Sequence, residues 1–188
     1  MTAAPKRKDA ARNRQRIVDV ARDLVDDGTP LQLNDVARRV GVGVATVYRH
    51  FPTPEALMET VATPGLEALI ARAEQALAEQ DPWNALAGFL GATLEAQLTD
   101  PSLTIVRAAP ERVLPRTEEL TATLDSLAGQ LLDRTRAAGA VRGVVTWEDL
   151  LPLMCGIAFA ANIHADERQA RRESGRRYLD VMLRGLRD

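Results

Sequence analysis

Residues Leu33–Phe51 read Leu-Asn-Asp-Val-Ala-Arg-Arg-Val-Gly-Val-Gly-Val-Ala-Thr-Val-Tyr-Arg-His-Phe. The spacing predicts two short helices joined by a tight turn. Leu33, Val36, Ala37 and Val40 recur at helical intervals, which gives the first helix one apolar face. Gly41 follows at once; without a Cβ it accepts the left-handed backbone that ends a helix. Val42 is an apolar plug for the angle between the helices. The second helix is expected from about Val44, with Val47 and Phe51, four apart, turned inward. Ala45, Thr46, Tyr48, Arg49 and His50 then point elsewhere. A short helix that offers small, hydroxyl and cationic groups, braced on another helix, is the layout of a DNA-binding helix-turn-helix.

At Val36-Ala37, Gly41-Val42-Gly43, Thr46-Val47-Tyr48-Arg49-His50-Phe51 and Glu55-Ala56-Leu57 the chain resembles the TetR family (TetR/AcrR-like) of transcriptional regulators. The motif covers roughly the first sixty residues; beyond them the likeness rests on helical architecture. Two positions depart from the family. A serine often stands where this chain has Gly43, and glycine brings no side-chain oxygen as a cap. A lysine or arginine often stands where this chain has Pro54, and proline carries neither that cation nor a backbone donor. One phosphate contact fewer per subunit is expected. The resemblance implies phosphate contacts for Tyr48 and His50, often joined by Thr46; all three side chains donate to phosphate oxygens without demanding a particular base. Val44, Ala45 and Arg49 are left to face bases, and only Arg49 can bond guanine in bidentate fashion. Part of the specificity is therefore expected from DNA shape. Gln32, Asn34 and Gly43, with Lys6 and Arg7 of the basic lead, complete the expected DNA-binding set.

The 188 residues suffice for a small unit plus a medium one, and 46% apolar content is ordinary for a globular protein. No apolar run is long enough to span a bilayer, and the basic start has no apolar stretch after it, so a cytoplasmic protein is expected. A single cysteine, Cys155, excludes an intrachain disulfide and a cysteine-cluster metal site; two distant histidines argue against a histidine site. No cofactor or metal is expected. No nucleophile with a matching base and no phosphate loop is visible, which argues against an enzyme. The net charge of −2 is unevenly spread: residues 1–50 hold ten Lys and Arg against six Asp and Glu, the remainder fourteen against twenty. A basic head on an acidic body suits contact with nucleic acid at one end.

The chain is expected to be all-α, with about nine helices: an N-terminal three-helix head over 1–53 and a helical ligand-binding and dimerisation body over 54–188. Lys6, Arg7 and Lys8 precede a helix over Asp9–Asp27 and serve either as a phosphate or minor-groove arm or as a solvated terminus. Arg12, Arg14 and Arg16 near that helix's start oppose its dipole, a hint of an external anion. Gln32 or Asn34 is expected to cap the next helix. Thr53 and Pro54 open another, which should kink or break at Thr63-Pro64-Gly65. Asp81-Pro82 and Asp100-Pro101 repeat the start signal, and Thr146 with Asp149 resembles a capping box. Leu150 to His164 is apolar nearly all round and so is expected to be buried on both sides. The last helix, about Asp166–Leu186, carries an apolar stripe. These two helices suggest a dimer interface through Gly156, Ala160, Tyr178, Leu179, Met182, Leu183 and Leu186, or else the completion of one subunit's core.

The resemblance also implies a ligand cavity in the body. Trp83, Phe89, Thr93, Gln97, Val106, Arg107, Trp147, Met154 and Phe159 are the candidates; ordinary core has the same composition. Arg107, in an apolar stretch, needs an anionic partner, either Glu111 or a ligand carboxylate. The expectation is a ligand-responsive repressor that binds a palindromic operator in double-stranded DNA as a homodimer, with a small-molecule effector and no membrane partner. The rival is a helical dimeric protein-interaction module with weak or no DNA binding.

Overall fold

The computed structural model describes residues 4–142, 144–163 and 167–187, with side chains from Asp9 onward. Among the described residues the elements are helices α1 (Ala4–Asp26), α2 (Leu33–Val40), α3 (Val44–His50), α4 (Pro54–Leu77), α5 (Pro82–Thr99), α6 (Pro101–Ala108), α7 (Pro115–Ala137), α8 (Trp147–Ile163) and α9 (Arg168–Leu186). The chain is all-α, as its spacing predicts. No helix among the described residues is long and apolar enough to cross a membrane. His164 and Asp166, read as a helix end and a helix start, lie outside the described residues, as do the side chains of Lys6 and Arg7.

Two apolar clusters organise the molecule. The first joins Ile17, Ala21 and Leu24 of α1, the α2 face Leu33, Val36, Ala37 and Val40, and Val47 and Phe51, closed by Leu57 and Val61 of α4. Burying a Leu or Val side chain stabilises a fold by about 1.5–3 kcal/mol, so this cluster is what holds the short α2 and α3 against α1. The second runs from Ala62 and Leu66 of α4 through α5–α9. Helix α4 therefore serves both.

The helix starts follow their sequence signals. Thr53, Asp81 and Asp100 each accept a backbone amide at the start of α4, α5 and α6, and each is followed by proline in the first turn. Thr146 donates its amide and its hydroxyl to Asp149 at 2.9 and 3.0 Å. The Asp149 carboxyl is held below its ordinary range by those two bonds. Arg134 on α7 donates to the carbonyls of Leu77 (2.8 Å) and Gln80 (2.9 Å), which satisfies orphan carbonyls after α4.

Three expectations are corrected here. Helix α1 begins at Ala4, so the lead is helical from there, and Arg12, Arg14 and Arg16 lie mid-helix, where the dipole argument does not apply. Neither Gln32 nor Asn34 caps α2: Gln32 occupies the cap position without a side-chain bond, and its own carbonyl takes the amides of Asp35 and Val36. Helix α4 is not broken at Pro64 but runs through it. Pro64 has no N–H for the Thr60 carbonyl. Around that gap, the Thr60 and Thr63 hydroxyls donate to the carbonyls of Ala56 (2.8 Å) and Glu59 (2.9 Å), and Arg22 donates to the Val61 carbonyl. A Cβ on Gly65 would meet Leu103 at 2.9 Å, so glycine lets α6 cross α4 closely.

Candidate nucleic-acid interface

The turn between α2 and α3 is built as its glycines suggest. Gly41 takes φ 75 and ψ 36, and the amides of Gly41 and Val42 both reach the Ala37 carbonyl. Gly43 caps α3 at φ −64 and ψ 139, with no side-chain bond to the helix. Val47 is fully buried and Phe51 nearly so, and they seat α3 on α1 and α2. Much of the rest of α3 faces outward: Val44 is 43% and Tyr48 47% exposed, and Ala45 and Arg49 are exposed beside them.

Arg49 folds back along its own helix, donating to the Ala45 carbonyl at 3.3 Å and to the Thr46 hydroxyl at 3.1 Å. These are weak, exposed bonds that a base edge or phosphate can replace. His50, half-buried, lies 6.4 Å from the Phe51 ring. Thr46, Arg49 and His50 line one shallow cleft together with Asp9 and Asn13 of α1. Gly43, Val44, Ala45, Tyr48 and Arg49 are thus exposed, and Thr46 and His50 are half-buried toward α1. Gln32 and Asn34, uncommitted as caps, are exposed at the start of α2.

Two arginines of α1 brace this face from behind. Arg16 donates to the Val40 carbonyl at 2.7 Å, which closes the end of α2, and the Arg14 guanidinium stands 5.2 Å over the Phe51 ring. Their spacing carried no such signal, because both partners lie far along the chain. At the rear of the head, Arg22 pairs with Asp100 at 3.4 Å. Burial and the Asp100 charge push the nearby Asp26 carboxyl above its ordinary range.

In the body, seven of the nine pocket candidates are interior: Phe89, Thr93, Gln97, Val106, Arg107, Trp147 and Met154. Trp83 is half-buried, with Arg187 5.2 Å above its ring. Phe159 is a correction: it is 65% exposed on the outside of α8, because Met154, Ala158 and Ala161 hold the inward face. Arg107 is buried as expected, but its partner within the chain is Asp125 and not Glu111. Asp125 of α7 accepts from both Arg107 terminal nitrogens, at 2.5 and 3.3 Å, and from the Trp147 indole at 2.8 Å. The Gln97 amide nitrogen lies 3.7 Å from the Cys155 sulfur, while its buried oxygen has no partner. Burial pushes the Cys155 thiol above its ordinary range, against the Arg107 charge and the Gln97 amide, which act to lower it.

The two terminal helices differ. Within the single chain α8 is covered on one side: Leu153 is 50%, Phe159 65% and Ile163 56% exposed, with Gly156 exposed and Ala160 half-buried between them, which leaves this face open to a second copy. On α9 the stripe points into its own subunit: Leu179 and Leu186 are buried, and Tyr178, Met182 and Leu183 pack against the same core. Gly175 explains the closeness of α9, since a Cβ there would meet Leu98 at 2.9 Å. An amphipathic stripe shows that a face is covered, not which copy covers it.

Comparison with known proteins agrees with this geometry. Residues 17–61 match the family described as "Bacterial regulatory proteins, tetR family", and residues 81–188 match "Transcriptional regulator SbtR-like, C-terminal domain". An HTH-type transcriptional regulator of Staphylococcus aureus is 33% identical over 81 residues, which is 42% of this chain and 42% of that protein. The chain thus matches less than half the length of that curated relative. Among solved structures, a TetR transcription regulatory protein of Mycobacterium vanbaalenii is 30% identical, with a TM-score of 0.52 over 98% of this chain and 100% of that one. A TetR transcriptional regulator of Streptomyces coelicolor is 27% identical, with a TM-score of 0.56 over 93% and 98%.

Proposed function

We propose that this chain, which belongs to the TetR family of bacterial transcriptional regulators, binds a palindromic operator as a homodimer and represses transcription until a small molecule releases it. In this reading residues 1–53 carry the DNA contacts, and residues 54–188 carry dimerisation and the effector. The observation that supports it most is the outward face of α3. Val44, Ala45, Tyr48 and Arg49 are exposed together on a helix whose opposite side is anchored by Val47 and Phe51. In the major groove, Arg49 unfolds from Thr46 to reach a base edge, while Thr46, Tyr48 and His50 hold phosphates.

A palindrome needs two such helices on successive groove faces, about 34 Å or a multiple apart. The outer face of α8, with Leu153, Phe159 and Ile163 uncovered, supplies the apolar surface for a second copy. For the effector, the supporting feature is the polar interior around Gln97 and Arg107. Proteins of the same fold have been solved with resorcinol and with stearoyl-CoA, at 18% and 15% identity. An effector releases DNA only through unequal affinity for the two arrangements of the heads.

The test is selection of bound sequences from random DNA, followed by mobility shift at rising salt. A palindromic consensus and a log–log salt slope of about 0.9 per phosphate contact are expected. A monomer in solution that retains no sequence overturns the reading, and a dimer that retains none, or whose binding is indifferent to salt, overturns it in favour of the dimeric protein-interaction module. Pro54, which puts no cation at the start of α4, is the feature that favours that rival.

A further inference from the structure

The head and the body meet at a joint that one side chain spans. Arg22 of α1 donates one terminal nitrogen to the Val61 carbonyl of α4 and the other to the Asp100 carboxylate, at 3.4 Å. Val61 belongs to the part of α4 that closes the head cluster, and Asp100 stands where α5 ends and α6 begins. The two oxygens of Asp100 are divided. Oδ1 takes the Ser102 amide at 3.0 Å and the Ser102 hydroxyl, which caps α6, and Oδ2 faces Arg22. Among the described residues no other ion pair joins α1, α2 or α3 to the body.

Around this link the joint is soft. The head cluster ends at Val61 and the body cluster begins at Ala62, so α4 passes from one to the other within a single turn. At that turn Pro64 deprives the Thr60 carbonyl of its helical donor. A cleft of about 210 Å³, lined among others by Leu31 of the head, Met58 of α4 and Ile105 of α6, leaves the head and the later turns of α6 without close packing. A close-packed joint would hold its angle by shape alone; here a polar link must do so.

We propose that Arg22 is a positioning residue: it fixes the angle of the head on the body, and through that angle the spacing between half-sites that the protein accepts. The inference rests on the reading of a homodimer on a palindromic operator. The head hangs on α4 from Pro54 to Val61, about 10 Å of helix, and Arg22 is its second attachment. One attachment leaves rotation free, and two remove it. One extra base pair moves a half-site by about 3.4 Å and turns it by about a tenth of a turn. A head held at two points does not follow that change, whereas a head held by α4 alone does. The planar fork of arginine reaches two acceptors at once, which the single ammonium of lysine does not.

Two measurements separate this inference from the regulatory reading. The first needs no DNA. Spin labels at Ala45→Cys in the head and Ala122→Cys on α7, in a Cys155→Ala background diluted with unlabelled protein, report the head-to-body distance within one chain. The distribution is expected to be narrow in the parent and about twofold wider in Arg22→Gln, Arg22→Lys and Asp100→Asn, the last of which keeps an oxygen to cap α6. Arg116→Gln, which cuts the ion pair with Glu67 inside the body, should leave the width unchanged. The second is mobility shift on the selected palindrome with its spacer lengthened or shortened by one base pair. The parent should lose about tenfold or more on either altered spacer and Arg22→Gln about threefold or less, with affinity for the best spacer reduced only a few-fold. Equal widths in the parent and Arg22→Gln overturn the positioning role whatever the DNA result. The same spacer profile in both also overturns it and leaves the regulatory reading intact. A parent that selects no palindrome overturns the regulatory reading, and the spacing role with it.

Discussion

The cluster beneath α3 is assembled from Ile17, Val36, Val47, Phe51 and their apolar neighbours, with no buried polar side chain from α1, α2 or α3 among the described residues, whereas the body encloses Thr93, Gln97, Ser102, Arg107, Thr117, Thr121 and Thr135. On the outer face of the head the polar groups hold their bonds loosely, as Arg49 does with Thr46. In the body several buried ones are bonded to the backbone, as with Thr93 to the Phe89 carbonyl at 2.9 Å and Thr135 to the Pro82 carbonyl at 2.9 Å. Polar side chains on the outer face of the head are therefore free to change DNA binding at little cost in stability. Bonded interior ones of the body cannot change without a stability penalty.

The largest effect that tests this contrast is at Asp125. Asp125→Ala leaves Arg107, which is 6% exposed, without its carboxylate and the Trp147 indole without its acceptor. Removing one member of a buried pair costs about 3–5 kcal/mol. The Asp125 side chain is 38% exposed, so the lower end, about 3 kcal/mol, is expected from urea unfolding. Replacing both partners, Arg107→Met with Asp125→Leu, should recover most of that loss, because no uncompensated charge remains. A loss below about 1 kcal/mol in Asp125→Ala would mean that water reaches Arg107, and the body would then be no different from the head.

A middle-sized effect, on binding rather than stability, is expected at Arg49. Arg49→Ala should leave the unfolding midpoint within about 0.5 kcal/mol of the parent, since only exposed bonds within α3 are lost. Its affinity for the selected operator should fall by about 1–3 kcal/mol, and its base preference should relax. Tyr48→Phe, in contrast, should weaken all duplexes alike. Mobility shift on the operator and on a scrambled duplex reads both; equal loss of discrimination from the two variants breaks the division between base and phosphate contacts.

How much of this was legible in the sequence follows from where each determinant sits along the chain. The unit from Leu33 to Phe51 was readable because its causes are local: a four-residue apolar rhythm, a glycine at a left-handed turn, and two inward anchors. The starts at Thr53, Asp81 and Asp100 were readable for the same reason, each cap lying within three residues of the amide it accepts. What was missed depends on distant partners. Arg107 meets Asp125 eighteen residues on, in another helix, and Arg16 meets the Val40 carbonyl across the head. Local spacing names no such partner. The length of α1 was missed because basic residues at a chain start read equally as arm or helix. The placement of Phe159 outside and Leu179 inside was missed because an apolar α8 admits either orientation until its neighbours are fixed.

The smallest effect concerns the two glycines of the turn, which the structure treats differently. Gly41, at φ 75, occupies the left-handed region that a side chain resists, and Gly41→Ser should cost about 1 kcal/mol. Gly43, at φ −64 and ψ 139, is in ordinary extended backbone, and a Cβ built there comes no closer than 4.0 Å to the Thr46 hydroxyl. Serine therefore fits at 43 without strain, and its oxygen is placed to accept an amide of the first turn of α3, which Gly43 leaves without a side-chain cap. The gain over glycine at such a cap is a few tenths of a kcal/mol, or roughly 1 °C in the Tm of a chain of this size. Calorimetry of Gly41→Ser and Gly43→Ser side by side decides whether the turn is built as described. Opposite signs are expected; a loss in both would mean that Gly43 is held by something other than its cap geometry.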